Sequence, residues 1–488
     1  MGKRAPILYI AAALLLSVMT VSCSKPGTEG SGALDDDTKY YVNMFAANLM
    51  GGWYLWADEI SDALSSWNES DDPVEKVLQA RYKDSDGEDI DRWTVLTDDY
   101  EAFRESVNGS SLTLGMRVLF AYSGEDRGHV YAIVTFVYDG SPAYRAGFRR
   151  GTVITMINGE LMDPSNYVYL AEESIYGTQE SVFTLLDGTD VALTPVDMYL
   201  DPVVMSKTFE TSSGSKVGYL LYNAFTIDSA ERLVSICDDL KSEGISELIL
   251  DLRYNGGGYV ITENALASML APEDAVKRGD VYEKNIYNDL LGGDDDENDT
   301  LFSTSYSFTS GEKDYCFDTS DSNLGISRLY VITTGSTASA SESLICGLKP
   351  YMDVVTVGKK TYGKFCSGSL VSAESWYGSV KDSLGDTESG KGRKHAAGWG
   401  MYIMVARYAD RYGVTLSMPD GISADRDADD NPLDGHELGD PEESMLKVAL
   451  GLTGYTKEAA CAVSSVSKVP DILEMNPEPA GFGTRIIQ

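Results

Sequence analysis

From Val217 to Val357 the chain alternates short apolar strands with helices, and this alternation restricts the fold more than any other feature. Val217–Leu221 has strand composition, and Ser229–Lys241 follows as an amphipathic helix with Leu233, Ile236, Cys237 and Leu240 on one face. Glu247-Leu-Ile-Leu-Asp-Leu252 reads as a buried strand and Arg328–Thr334 as another, then residues 340–349 as a helix and Asp353–Val357 as a further strand. Strand–helix–strand order predicts parallel pairing and a layered α/β core, spanning residues 201–455. With 488 residues and 43% apolar content the chain can bury such a core and has length for one or two more units.

The upstream sequence has other periods. Tyr40–Leu64 carries Met44, Met50, Trp53, Leu55 and Trp56, and Asp98-Asp99-Tyr100 opens a short helix ending near Asn108-Gly109. Residues 39–110 are therefore expected to form a small helical N-terminal domain, a cap or a dimerisation element. From residue 111 to 200 strand signals take over: Leu112–Met116, Val130–Val137 and Val153–Ile157 are rich in β-branched and aromatic residues and bounded by glycine. Leu290–Thr300 reads as a solvated acidic loop by its composition.

Lys3 and Arg4 precede the apolar run Ile7–Val21, which is too short to span a bilayer comfortably and reads as a secretory signal over residues 1–23. Cys23 follows Thr20-Val21-Ser22 as the cysteine of a bacterial lipobox does, although Thr20 stands where leucine is usual. The expectation is an exported protein anchored to the cell envelope through lipid on Cys23. A Gly/Ser/acidic tether over residues 24–38 follows it. The outer membrane is the expected site, with the periplasmic or surface face left open.

The formal charge is −37, from 76 acidic and 39 basic residues, which repels nucleic acid and anionic lipid headgroups and excludes both as partners of the folded surface. The other cysteines, Cys237, Cys316, Cys346, Cys366 and Cys461, form no C-x-x-C pair, and His129, His395 and His436 form no ligand pattern. No metal site, cofactor or disulfide framework is expected. Residues 456–488 read as a C-terminal tail.

Two segments carry chemistry. Asp251-Leu-Arg-Tyr-Asn-Gly-Gly-Gly258 closes a buried strand with three glycines, which leave backbone N–H groups unobstructed. Ser339-Ala-Ser-Glu342 follows a strand and opens a helix. It fits a capping box, but a serine at a strand-to-helix turn also suits a nucleophile beside the positive end of the helix. A serine nucleophile needs a base. The three S-x-x-K matches fall in the signal, a turn and the tail, whereas Lys364 follows the strand after Ser339 and exits on the same side of the sheet. A lysine acts as a base only when burial lowers its ordinary value of about 10.4.

Taken together, these motifs resemble the C-terminal processing (tail-specific) serine peptidases. Leu248-Ile-Leu-Asp-Leu-Arg-Tyr-Asn-Gly-Gly-Gly258 is similar to that family's D-L-R-x-N-x-G-G, Thr337-Ala-Ser-Ala-Ser-Glu342 to its serine motif, and Val357-Gly-Lys-Lys-Thr-Tyr-Gly-Lys364 to its lysine motif. Ser141-Pro-Ala-Tyr-Arg-Ala-Gly147 to Ile157-Asn-Gly159 resembles a PDZ domain, with Thr152 in place of the usual aspartate. Pro419-Asp-Gly-Ile422 resembles a strand end near the family's C-terminus.

The resemblance implies an α/β multidomain fold: the helical N-terminal domain, a PDZ-like β-rich domain and a layered, ClpP/crotonase-like peptidase core. It implies Ser339 as nucleophile, Lys364 as general base, the N–H groups of Gly257 and Ala340 as oxyanion hole, and Glu342 as support. Leu114-Gly115-Met116 falls where a PDZ carboxylate-binding loop would lie, and substrates would be proteins or peptides with unstructured C-termini. Where the family continues G-K-G-x-x-Q, this chain has Gly363-Lys-Phe-Cys-Ser-Gly368, so the glutamine that helps hold the lysine is absent. The alternative reading is therefore a catalytically silent PDZ-containing lipoprotein that binds peptides. A related tricorn-like branch uses a histidine, and His129 lies upstream but inside the PDZ-like stretch.

Overall fold

The computed structural model describes residues 34–123, 127–292, 296–310 and 313–456. Cys23, the signal segment, most of the tether, Cys461 and the C-terminal tail lie outside the described residues. At the centre is a six-stranded sheet in the order Val203–Glu210, Lys216–Tyr222, Glu247–Asp251, Arg328–Thr333, Asp353–Gly358, Arg426–Asp427. Only the first pair is antiparallel. Leu248, Ile249, Leu250, Val331 and Ile332 are wholly buried, as strands covered on both faces require. Helix Ala230–Glu243 buries Leu233, Cys237 and Leu240 and stops at Gly244, which takes the left-handed conformation of a C-cap.

Parallel pairing has a direct consequence for function. Asp251 lies beside Ile332, and Thr333 beside Gly358, so the three central strands end together at one edge. The loops that leave this edge carry the glycine run, Ser339 and Lys364.

A second sheet contains Val95–Thr97, Gly400–Ala409, Val281–Tyr287 and Thr300–Leu301, with Cys366–Ser372 also paired to Gly400–Ala409. Its inner face corrects the expectation of a separate N-terminal domain. Val42, Phe45, Leu49, Tyr54, Trp93 and Phe103 share one hydrophobic cluster with Leu370, Trp376, Tyr402 and Met404, and Val95 pairs directly with Tyr402. The helical segment shares its core with the second sheet. Within Tyr40–Leu64 the first helix ends at Gly52, the second of two successive glycines, and a short helix Ser61–Ser65 follows.

Residues 116–193 form a third, antiparallel sheet, Met116–Tyr122, Val130–Val137, Val153–Ile157, Ser181–Leu185 and Asp190–Leu193, with its own apolar cluster. The strand expected over Leu112–Met116 is interrupted, because Gly115 has φ +70° and turns the chain. Ser110–Thr113 pairs instead with Val196–Tyr199. This sheet is joined to the central one by Phe136 and Tyr138, which pack with Tyr219 and Ile249, and by buried Arg150. The Arg150 guanidinium donates to Asp430 Oδ1 at 2.5 Å, Thr135 O at 3.0 Å and Tyr254 Oη at 3.0 Å.

Candidate active site

Ser339 sits between the strand Arg328–Thr333 and the helix Ala340–Leu348. The connecting loop is tied to the neighbouring strand end: Thr337 Oγ1 donates to Leu252 O at 2.9 Å and Ala338 N to Asn255 O at 3.1 Å. These bonds hold Ser339 at φ +64°, ψ −117°, a conformation that residues with a Cβ rarely adopt. Ser339 and Glu342 stand in the capping-box arrangement. Glu342 Oε2 accepts from Ser339 N at 2.8 Å, whereas the Ser339 hydroxyl is fully buried and has no hydrogen-bond partner.

Glu342 also organises the lysine loop. Its Oε1 accepts from Thr361 Oγ1 at 2.5 Å and Gly363 N at 2.7 Å, and its Oε2 from Lys364 N at 2.9 Å. Burial pushes the Glu342 carboxyl above its ordinary range, while these four donors pull it back down. The Tyr408 hydroxyl makes a second bridge, donating to Ser339 O at 3.0 Å and Lys364 O at 2.5 Å. The Lys364 side chain is fully buried. Its Nζ donates to Tyr402 Oη at 3.1 Å and lies 4.7 Å from the Trp93 ring centre and 5.3 Å from that of Tyr402. The two loops are thus brought together, but no hydrogen bond joins Ser339 Oγ to Lys364 Nζ.

Gly257, φ +116°, lies against the serine: a Cβ there would come 2.9 Å from Ser339 Cβ and 3.2 Å from Ala340 N. Its N–H is engaged by Asn255 Oδ1 at 2.9 Å. Behind this loop Arg253, fully buried, pairs with Asp251 at 2.8 Å and Glu443 at 2.7 Å. Burial raises Glu443, but the Arg253 charge outweighs it and holds the carboxyl down at about 2.

Residues 216–426 match the family model of peptidase family S41. The chain is similar to "Carboxyl-terminal-processing peptidase 3, chloroplastic" of Arabidopsis thaliana, with 28% identity over 33% of this chain and 33% of that one. It is also similar to a "Probable CtpA-like serine protease" of Staphylococcus aureus, with 25% identity over 54% of this chain and 46% of that one. The chain thus spans less than half the length of these curated relatives. A crystal structure from Bacteroides fragilis, assigned to the S41 proteases, shares the fold with TM-score 0.61 and 20% identity, covering 88% of this chain and 98% of the other.

The remaining predicted residues are distributed as follows. Leu114 and Met116 are buried, and Gly115 N donates to Thr113 Oγ1 at 3.0 Å. Cys346 and Cys366 are not in a disulfide; Cys366 Sγ donates to Met404 Sδ at 3.5 Å, and burial pushes Cys346 up to about 12. Asp427 and Asp429, which follow the Pro419-Asp-Gly-Ile422 segment, pair with Lys359. That segment braces the lysine loop, since Ile422 N donates to Thr361 Oγ1 at 2.7 Å. Sequence reasoning missed Trp93, Tyr402 and Tyr408. The tyrosines lie on one strand of ordinary β composition and Trp93 about 270 residues upstream of Lys364, so no local pattern marks them.

Proposed function

We propose that this chain is a serine endopeptidase that hydrolyses peptide bonds in unstructured protein tails, with Ser339 as nucleophile and Lys364 as general base. The observation that carries the reading is the Ser339 hydroxyl: buried, unpartnered, and held at positive φ at the mouth of a helix. A serine whose role was capping would use its oxygen on a backbone N–H. The unused oxygen instead fits a group reserved for substrate.

In this mechanism neutral Lys364 takes the Ser339 proton, Oγ attacks the scissile carbonyl, and the amine leaves with that proton to give an acyl-enzyme, which water hydrolyses. Removing a lysine from water favours its neutral form. Ala340 N–H, at the first turn of the helix, would stabilise the oxyanion with Gly257 N–H once the latter leaves Asn255. The tail preference follows the printed name of the Arabidopsis relative, and the edge strand Met116–Tyr122 offers an open side to which an extended peptide could add. Leu114-Gly115-Met116 would then receive the peptide carboxylate as a PDZ loop does, and lipid on Cys23 would hold the enzyme at the cell envelope.

The second reading, a silent peptide-binding protein, is favoured by the Lys364 amine resting on Tyr402 and by the occupied Gly257 N–H. Digestion of an unfolded reporter by the full chain, beside Ser339→Ala and Lys364→Ala, separates the two. Cleavage by wild type alone supports the peptidase. Equal cleavage by all three removes the dyad, and peptide binding without cleavage supports the silent protein.

A further inference from the structure

The Lys364 side chain ends in a box built from two distant segments. Tyr402 lies on the strand Gly400–Ala409 and Trp93 in the N-terminal segment. The Tyr402 ring lies over Gly368: a Cβ at that position would come 2.6 Å from Tyr402 Cε2, 2.7 Å from Cζ and 2.4 Å from Met404 Cε. The ring can therefore occupy this space only because residue 368 has no side chain. Across the amine, the turn bearing Trp93 is pinned by buried Asp91, whose Oδ1 accepts from Trp93 N at 2.9 Å and Thr94 N at 3.0 Å. Tyr54 Oη donates to the other oxygen of Asp91 at 2.7 Å.

A lysine stem has four rotatable bonds, so burial alone does not aim its amine. A neutral amine has two N–H donors and one lone pair. When Tyr402 Oη accepts one N–H, rotation about the terminal C–N bond is restricted and the lone pair is left for another partner. The aromatic faces of Tyr402 and Trp93 favour the ammonium that forms when the proton arrives.

We propose that Tyr402 is the positioning residue for Lys364, its hydroxyl holding the amine and its ring filling the space left by Gly368, with Trp93 closing the opposite side. This inference rests on the peptidase reading above. It assigns to the second sheet and the N-terminal segment the task that the missing glutamine leaves open, and it makes the glycine at 368 and the tyrosine at 402 a matched pair.

The test compares wild type, Ser339→Ala, Tyr402→Phe, Tyr402→Ala and Tyr402→Ala/Gly368→Gln on an unfolded reporter, with melting temperature as the control for folding. Tyr402→Phe keeps the ring and is expected to lower kcat about tenfold or more, with KM within about twofold and little change in melting. In the double variant the glutamine enters the vacated space, and kcat is expected to rise about tenfold above Tyr402→Ala alone. Full kcat in Tyr402→Phe overturns the inference, as does a double variant that folds but is no more active than Tyr402→Ala. If both Tyr402→Ala variants fail to fold, the Tyr402→Phe comparison decides. Wild type active, Ser339→Ala dead and Tyr402→Phe fully active would sink this inference alone. An inactive wild type, or an active Ser339→Ala, would sink the peptidase reading and this inference with it.

Discussion

The backbone N–H groups of Ser339 and Lys364 donate to the same oxygen, Glu342 Oε2, at 2.8 and 2.9 Å. Residues separated by a helix, a strand and two loops are thereby fixed to one buried carboxylate. The distance between the two loops depends on this anchor more than on any direct contact between the serine and the lysine.

Glu342→Ala should therefore cost more than a surface change. It strands the N–H groups of Ser339, Gly363 and Lys364 and the Thr361 hydroxyl, and each buried unsatisfied group costs about 1–3 kcal/mol. A loss of about 3 kcal/mol or more is expected by chemical denaturation, together with loss of activity. A stable, active alanine variant would show that the carboxylate is not the anchor.

Ser339→Gly should raise stability while abolishing activity. The hydroxyl makes no hydrogen bond that the change would lose, and glycine adopts φ +64° without the penalty a Cβ brings. The expected gain is about 1 kcal/mol, reduced by the greater freedom of glycine in the unfolded chain. A clear drop in melting temperature would mean that the serine turn is not strained.

Glu443→Gln should destabilise by about 3 kcal/mol near neutral pH, since Arg253 loses a fully buried partner. The pH dependence has a definite sign. The folded-state value is depressed, to about 2 from an ordinary 4.5, so the contribution is complete above about 4.5 and disappears as the pH falls toward 2. Asp251, which burial raises despite the opposing pull of Arg253, acts in the opposite direction, less so in the variant, which lacks the Glu443 charge that adds to its rise. The measured quantity is the difference between wild type and variant from pH 7 to 2, which should shrink over the lower part of that range.

A chain starting at residue 110 should fail to melt cooperatively. It lacks Phe45, Leu49, Tyr54 and Trp93, which complete the cluster around Tyr402, and the strand Val95–Thr97 that covers the edge of Gly400–Ala409. A truncated chain that folds and melts like the whole would restore the N-terminal segment to the status of a separate domain.

Much of the central sheet was legible because its strands are continuous apolar runs separated by an amphipathic helix or a glycine turn. Arg328–Thr333 and Asp353–Gly358 differ from expectation by one residue each, and in the third sheet Val130–Val137 and Val153–Ile157 have the predicted bounds. The serine, the lysine and the glycine run were legible for the same reason: each follows a predicted strand, and parallel order sends all three to one edge. The N-terminal helices were legible as helices but not as part of this core, because an apolar face does not name its partner.

By itself, the sequence determined the parallel core, the chain order of the glycine run, Ser339 and Lys364, and the capping-box glutamate, since these depend on local period and motif spacing. The tertiary structure decided that Glu342 grips the lysine loop, and that Tyr402 and Trp93 enclose the lysine. Contacts of that kind join residues tens to hundreds of positions apart, and they arise from how sheets stack, which no local pattern encodes.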